Sequence, residues 1–475
     1  MKKSAFRIIL SIIFISSFTL LFSQSAKHRV IVLTDIQNEP DDAQSMVRFL
    51  LYSNHFDVEG LIATTSQHLR DKTAEWRIKE IVEAYGKVRN NLNLHEPGFP
   101  TQAYLQSLIR KGMPRYGMTA VGPGMDSEGS DWIIQVVDKN DQRPVWISVW
   151  GGPNALAQAL WKVRQTRTLA EVQSFVSKLR VYTISDQDDS GQWIRREFPE
   201  LFYVVSPGGY YGRATWSGIS GEQWYRFASG ADTTIVGNKW LRKNIMENHG
   251  PLGSQYPKAD YIMEGDTPSF LSLINNGLNN PEQPNYGGWG GRYELYTPHF
   301  SPYLRYDDHQ PETRPIWTDA ADEVAGPRGE IYCSNQATIW RWREAYQNDF
   351  NARMDWTIKP YSEANHPPVA LLEGDNEITI RVGESVTLDA SASSDPDGNS
   401  LNFKWIHYAE AGNYFHWRGQ RGIVMDNANT SRMTLRIPAE VEIERPNTTH
   451  IVLQVTDTGT PALTRYQRVI VTIMP

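Results

Sequence analysis

Thr34-Asp35-Ile36-Gln37-Asn38-Glu39-Pro40-Asp41-Asp42-Ala43 sets four carboxylates between positions 35 and 42, directly after the β-branched run His28-Arg29-Val30-Ile31-Val32-Leu33. That run reads as a short strand. From Asp41 onward the apolar residues fall at Ala43, Met46, Val47, Leu50 and Leu51, the spacing of one helix face. The acids therefore sit on a strand-to-helix loop at the carboxyl edge of a sheet, where open α/β folds place their ligands. Carboxylates crowded in this way repel one another unless a positive charge lies between them. A hard cation that takes oxygen ligands, Ca²⁺ or less favourably Mg²⁺, answers that need. The plainer alternative is that Asp41 and Asp42 cap the helix and complement its dipole, although capping gives no role to Asp35.

Outward from this loop, strand-like runs at 30–33, 58–64, 145–149, 178–184 and 201–205 alternate with helix-periodic segments such as 73–85 and 155–161. Strand–helix alternation predicts βαβ units and an open, mainly parallel sheet with flanking helices over 27–358. The character changes at Lys359-Pro360-Tyr361-Ser362-Glu363-Ala364-Asn365-His366-Pro367-Pro368, whose prolines and polar residues read as a linker, 359–368. Short alternating strands separated by turn clusters follow, and they predict an all-β, Ig-like sandwich over 369–475. Asp389, Asp395 and Asp397 lie in its Asp-Pro-Asp-Gly region, which reads as a turn.

Lys2, Lys3 and Arg7 precede an apolar run from Ile8 to Phe22 and then Ser23-Gln24-Ser25-Ala26, the layout of a secretory signal peptide over 1–25. The expected location is therefore secreted or periplasmic, and the absence of a nearby cysteine excludes lipid attachment at that site. Cys333 is the single cysteine, so no intramolecular disulfide forms. A formal net charge of −7 argues against a nucleic-acid partner. No later segment is apolar enough to embed the chain in a membrane. Oligomeric state is left open.

The stretch from Val30 to Thr65 resembles the nucleoside hydrolases, through the strand into Asp35, the Asp41-Asp42 pair opening a helix, and the second strand Glu59-Gly60-Leu61-Ile62-Ala63-Thr64-Thr65. Trp150-Gly151-Gly152-Pro153-Asn154-Ala155-Leu156-Ala157 resembles the Gly-rich turn after the central strand of that family, where an Asn starts a helix. The whole chain is similar to nucleoside-hydrolase-like proteins of the cellulose-binding type, which carry an Ig-like C-terminal domain. Ser190-Gly191-Gln192-Trp193-Ile194-Arg195 and Glu264-Gly265-Asp266-Thr267-Pro268-Ser269-Phe270 look like motifs of that subgroup. The resemblance implies a Ca²⁺ ion held by Asp35, Asp41, Asp42, a carbonyl from Pro153 or its neighbour, and a late carboxylate, Asp266 with Glu264 second. It also implies Asp35 as general base. Five residues, Ile36 to Pro40, separate Asp35 from the Asp pair, more than in the usual loop of the family, and this leaves Glu39 as an alternative to Asp41.

Cleavage at a sugar anomeric carbon passes through an oxocarbenium-like transition state, which nearby carboxylates stabilise. Asp186, Asp188 and Asp189 follow a predicted strand and, with Asn154 and Trp193, are candidates for sugar hydroxyls or a solvated turn. Trp289 and Tyr293, in Tyr286-Gly287-Gly288-Trp289-Gly290-Gly291-Arg292-Tyr293, read either as stacking faces for a sugar or as inward packing. Tyr210, Tyr211 and Trp216 share that ambiguity. His299 and His309 are candidate proton donors to a leaving group. Two readings follow: a hydrolase of glycosyl bonds acting on a small sugar-containing substrate, or a non-catalytic binder of cellulose or other plant cell-wall polysaccharide.

Overall fold

The computed structural model describes residues 27–208, 211–221, 231–298, 310–326, 328–414 and 422–475. The predicted signal peptide, Tyr210, His299 and His309 lie outside them. The first domain begins β1 (His28–Thr34), α1 (Pro40–Leu51), β2 (Phe56–Ala63), α2 (Glu75–His95), α3 (Gln102–Ser107), β3 (Ile109–Lys111) and α4 (Glu128–Val137). It continues with β4 (Val145–Val149), α5 (Asn154–Thr166), α6 (Leu169–Ser177), β5 (Leu179–Ser185), α7 (Ser190–Glu197), β6 (Phe202–Ser206), β7 (Tyr293–Tyr296) and β8 (Ile316–Asp319). These strands form one sheet in the order β3-β2-β1-β4-β5-β6-β8-β7, parallel throughout except for the β7–β8 edge pair.

Alternation along β1 assigns the two faces. Val30 and Val32 enter the core shared with α1 and α2, whereas Ile31 and Leu33 enter the core shared with α5 and α6. Both faces are covered, so the run Val30–Leu33 is apolar without interruption. β1 lies between β2 and β4, and the chain leaves it in opposite directions. The crevice at this switch point opens between the loops after β1 and β4, which carry Asp35–Asp42 and Trp150–Asn154.

The hairpin of β9 (Asp322–Ala325) and β10 (Ile331–Ser334) precedes a two-sheet β-sandwich. Its strands are β11 (Glu377–Arg381), β12 (Ser385–Asp389), β13 (Leu401–Tyr408), β14 (Val424–Asp426), β15 (Arg432–Arg436), β16 (Asn447–Asp457) and β17 (Thr464–Met474). One sheet runs β11-β17-β16-β13 and the other β12-β15-β14. Among the described residues no helix is long and apolar enough to cross a membrane.

The segment 359–368 is not a loose linker, which corrects the compositional reading. Asn365 and His366 are buried. The His366 ring stacks on Tyr361 at 3.8 Å and on His95 at 5.1 Å, and Asn365 donates to Asp457 at 3.0 Å. Its prolines here fix a packed path rather than a flexible one. The two domains also share one apolar core, in which Tyr408, Ala411, Val452 and Tyr466 of the sandwich join Trp289, Trp342 and Tyr346 of the first domain. Tyr466 sits edge-on to Trp342 at 5.6 Å and to Trp289 at 6.4 Å. Its backbone passes so close to Gly277 that a Cβ there would lie 1.9 Å from the Tyr466 carbonyl oxygen.

Because this core is continuous, the protein is expected to unfold in a single transition. Tyr466→Ala should lower stability by about 3–5 kcal/mol by opening a cavity between two tryptophans. A chain ended at Thr357 should bind a hydrophobic dye or aggregate. Two resolved calorimetric transitions in the full chain would contradict the shared core.

Candidate metal and sugar site

Three buried carboxylates, Asp41, Asp42 and Asp266, offer oxygens that all lie within 4.8 Å of one another. Asp41 and Asp42 occupy the first turn of α1, which Pro40 starts. The insertion before them is taken up by a tight turn: Asn38 N–H donates to the Asp35 carbonyl at 3.3 Å, and Gln37 adopts a left-handed φ of 81°. The extra residues thus bulge outward and leave the Asp pair on the helix, so Asp41 and not Glu39 stands in the three-carboxylate group. Glu39 is half-buried at the helix N-cap, close enough to raise the pKa of Asp35, Asp41, Asp42 and Asp266.

Asp266 arrives from a different part of the chain, on a segment held by Ser269, whose hydroxyl donates to the Asp266 carbonyl at 2.6 Å. One oxygen of its buried side chain has no hydrogen-bond partner. Gly265 allows this approach, since a Cβ there would lie 2.9 Å from Asp41 Oδ2 and 2.9 Å from the Trp216 ring. Asp35, expected as a ligand, stands at the end of β1 outside the three-carboxylate group and accepts a hydrogen bond from Ser66. A Cβ on Gly151 would lie 2.4 Å from Asp35 Oδ1, so the diglycine turn makes room for this carboxylate.

Burial pushes Asp35 up to about 7, with the Ser66 hydrogen bond pulling the other way. Asp41, Asp42 and Asp266 are raised well above the ordinary aspartate value by burial first and then by the neighbouring acids. Three clustered carboxylates, an orphaned carboxylate oxygen and no cationic partner among the charges acting on them make a donor set suited to a hard divalent cation.

The other candidates divide by their partners. Asn154 opens α5 and donates to Thr65 at 2.8 Å and to the Arg115 carbonyl at 2.9 Å, while its own side-chain oxygen is buried without a partner. Asp188 lies on the far side of the diglycine turn: a Cβ on Gly152 would be 2.1 Å from its Oδ2, also unpartnered, while Oδ1 accepts from Ser190. Asn154 and Asp188 therefore face the same turn as Asp35.

Several readings are corrected. Pro153 is the N-cap of α5, and its carbonyl accepts the first helical hydrogen bond from Ala157 at 3.0 Å, so it points down the helix and away from the acids. Glu264 is wholly buried in an ion pair with Arg48 at 2.6 Å and accepts from Tyr256, which makes it structural. Asp186 is held at 2.8 Å on each oxygen by the Arg195 fork. Asp189 accepts from Met118 N–H at 2.8 Å. Trp193 packs edge-on to Phe198 at 5.8 Å beside Arg164, on the α5 side of the sheet. Trp289 is fully buried at the domain interface, and Tyr293 is buried with its hydroxyl against Tyr182, so neither presents a face to a ligand.

Ser66 and His68, which sequence reading passed over, and Tyr211 and Trp216, whose role it left open, adjoin the acids. Ser66 and His68 follow β2, with Ser66 bonded to Asp35 and accepting from His68 N–H at 2.9 Å. His68 Nε2 lies 3.3 Å from the Tyr211 hydroxyl, and Tyr211 meets Trp216 edge-on at 5.1 Å. Together they arch from Asp35 round to Gly265 and Asp41. Nothing in a lone Ser-Gln-His signals this; only the parallel pairing of β1 with β2 brings it beside Asp35.

Comparison with known proteins agrees with this frame. A family model described as the cellulose-binding Sde182, nucleoside hydrolase-like domain matches residues 29–293, and one described as the cellulose-binding protein Sde0182, C-terminal domain, matches 385–473. A solved structure of a nucleoside hydrolase-related hypothetical protein from Saccharophagus degradans, associated with carbohydrate metabolism, is 37% identical. The match covers 94% of this chain and 100% of that one, with a TM-score of 0.78. The type III effector XopQ, solved with adenosine diphosphate ribose, is 10% identical over 71% of this chain and 96% of its own, with a TM-score of 0.30. A PKD domain is 25% identical over 23% of this chain and 92% of its own, with a TM-score of 0.16. No curated protein matches the chain. With more than half its length under the first family model and a 37% identical relative aligned end to end, the chain belongs to the Sde182 family of nucleoside hydrolase-like, cellulose-binding proteins.

Proposed function

We propose that this protein hydrolyses a glycosyl bond, with Asp35 as general base and a Ca²⁺ ion held by Asp41, Asp42 and Asp266 beside it. The observation that carries the reading is the convergence of these buried carboxylates on one point at the switch of the sheet, with one Asp266 oxygen unpartnered. When bound there, a divalent cation offsets the carboxylate charge and acidifies a water it holds. Asp35, buried at the end of β1 with Ser66 on one oxygen, is placed to accept a proton from an attacking water. Ser66 orients the Asp35 carboxyl, and the diglycine turn with Asn154 and Asp188 supplies polar contacts for sugar hydroxyls. The enclosing side chains exclude bulk water and so strengthen these contacts.

The family description supports a second reading, a cellulose or related polysaccharide binder in which the same pocket holds sugar without turnover. Asp35→Asn separates the two. In the hydrolase it should cut turnover by about 10²- to 10⁴-fold with little loss of binding. If the wild type releases no sugar from nucleosides, aryl glycosides or plant oligosaccharides with Ca²⁺ present, yet retains polysaccharide, the binder reading stands instead.

Metal binding to the folded state stabilises by mass action, by about 2.7 kcal/mol at about 100 times Kd. Adding Ca²⁺ after chelation should therefore raise Tm, and Asp42→Ala or Asp266→Ala should remove the rise. An identical Tm with and without chelator would remove the ion from the site.

The chelated protein should also respond to pH in a defined direction. Asp35 moves from 3.8 to about 7 on folding, and its three neighbours rise too. Across that window the folded chain holds protons that the unfolded chain has released. Stability from these groups is then lost as pH rises from about 4 to about 7. Thermal melts in chelator should show Tm falling over that range, with a weaker fall in Asp42→Asn. A Tm that climbs through it would contradict the burial argument.

A further inference from the structure

We propose that His95 and His366 hold a single extra proton between them and so form a pH-sensitive latch, which pins the 359–368 segment between the two domains. His95 ends α2 and His366 lies in that segment, and both rings are buried. Their hydrogen bonds fix their protonation. His95 Nε2 lies 2.9 Å from the Lys359 carbonyl oxygen, which only accepts, so this nitrogen carries a hydrogen. His366 Nδ1 lies 3.0 Å and 3.1 Å from the two oxygens of Asp397 and donates to that carboxylate. Between the rings, His95 Nδ1 and His366 Nε2 stand 2.9 Å apart, a contact that needs a hydrogen on one side and a lone pair on the other. Two neutral imidazoles carry one N–H each, and both are already committed to Lys359 and Asp397. The central contact therefore requires a third hydrogen, which gives the pair one positive charge balanced by Asp397.

The surroundings favour that charge and no more. Trp356 stacks on His95 at 5.3 Å and on His366 at 5.3 Å, and Tyr361 covers His366 at 3.8 Å, so aromatic faces, which attract a cation, line the pair. Burial pushes His95 down and the charge on His366 acts the same way, with the Lys359 carbonyl and Asp397 opposing. The proton therefore rests on His366, beside Asp397. Other charged groups nearby are engaged elsewhere: the Lys359 ammonium lies on Asp355 at 2.8 Å, Glu96 faces Arg353 at 2.8 Å, and Glu363 is exposed. Asp395, in the same turn as Asp397, acts on Tyr361 and on Asp457, whose oxygens take Asn365. Below the ordinary histidine value of about 6.5 the unfolded chain takes up a proton at position 95 that the folded ring resists, so stability from the latch is lost as pH falls. In alkali the shared proton departs, and two lone pairs face each other at 2.9 Å. The latch holds between these limits.

Full-length H366N keeps a donor for Asp397 but holds no extra proton. Its loss of Tm relative to the wild type should be greatest near neutral pH, by a few degrees, and shrink on both the acid and the alkaline side. A merely structural ring would be missed equally at every pH. The buried carboxylates of the first domain titrate in both proteins and cancel in that difference. D397N, which removes the balancing charge, should move the alkaline limb of the wild-type profile to lower pH. Hydrogen exchange reads the latch in the wild type alone: His366 N–H donates to Asp397 at 2.7 Å, so its protection, corrected for the intrinsic rate, should peak in the same window. Nitrogen NMR of histidine-labelled wild type near neutral pH should show one doubly protonated ring, lost in H366N. A Tm difference that does not vary with pH, or spectra in which His95 and His366 are both neutral, overturns the latch. If H366N fails to fold, the wild-type spectra and exchange decide it by the same criteria.

Discussion

Mutual repulsion among buried carboxylates governs the business end of this molecule. Asp35, Asp41, Asp42 and Asp266 each lose hydration on burial, and the charges that act most on them are one another and Glu39. Their hydrogen-bond donors are neutral hydroxyls, Ser66 for Asp35 and Thr34 for Asp42. A neighbouring acid shows the contrast. Glu264, two residues before Asp266, is just as buried but carries Arg48, Tyr256 and Thr267 on its oxygens. One carboxylate is a satisfied strut; the other keeps one buried oxygen without a hydrogen-bond partner. Buried charges are ordinarily paired, and a group left unpaired needs either a proton or an external cation.

The scaffold that holds these acids together extends into the second domain. Arg48 and Tyr52 project from α1 and the turn that ends it, so they fix the helix that presents Asp41 and Asp42. Tyr52 donates to Asp349 at 2.6 Å, and the other oxygen of Asp349 accepts from Arg465 of the sandwich at 2.7 Å. Such a path makes the sandwich a buttress for α1 rather than an appendage on a flexible tether. Asp322 has the same role at the other end of the interface, where Arg292, Arg341 and the Tyr408 hydroxyl converge on its two oxygens. Two domains joined through both an apolar core and buried ion pairs have little freedom to reorient.

Aromatic residues misled sequence reading for a physical reason. Glycine-rich stretches with tryptophan are compatible with a sugar-stacking loop, and equally with a tight chain path against another domain. Trp289 follows the second course because Tyr466 and Tyr346 offer edge-on partners within 6.4 Å. Trp193 and Tyr293 are likewise taken up by packing. The aromatics that do adjoin the acids, Tyr211 and Trp216, lie on short helical turns, where sequence alone left them ambiguous between stacking and packing.

Local sequence sufficed for the features governed by short-range rules. Strand–helix alternation dictated the parallel sheet, the β-branched run dictated β1, and helical spacing after Pro40 put Asp41 and Asp42 on one turn beside Asp35. The late partner Asp266 was legible only through family likeness, because more than two hundred residues separate it from Asp42 and no local rule spans that distance. Tertiary structure alone decided which carboxylates are free. Arg48, more than two hundred residues away, neutralises Glu264 and Arg195 neutralises Asp186, whereas among the described residues no arginine reaches Asp266 or Asp188 with a hydrogen bond. It also decided that Ser66 and His68 stand beside Asp35, that the extra loop residues bulge away from the site, and that the proline-rich 359–368 segment is packed. Charge pairing and aromatic packing depend on which surfaces meet, and that is settled by the closed fold rather than by any stretch of the chain.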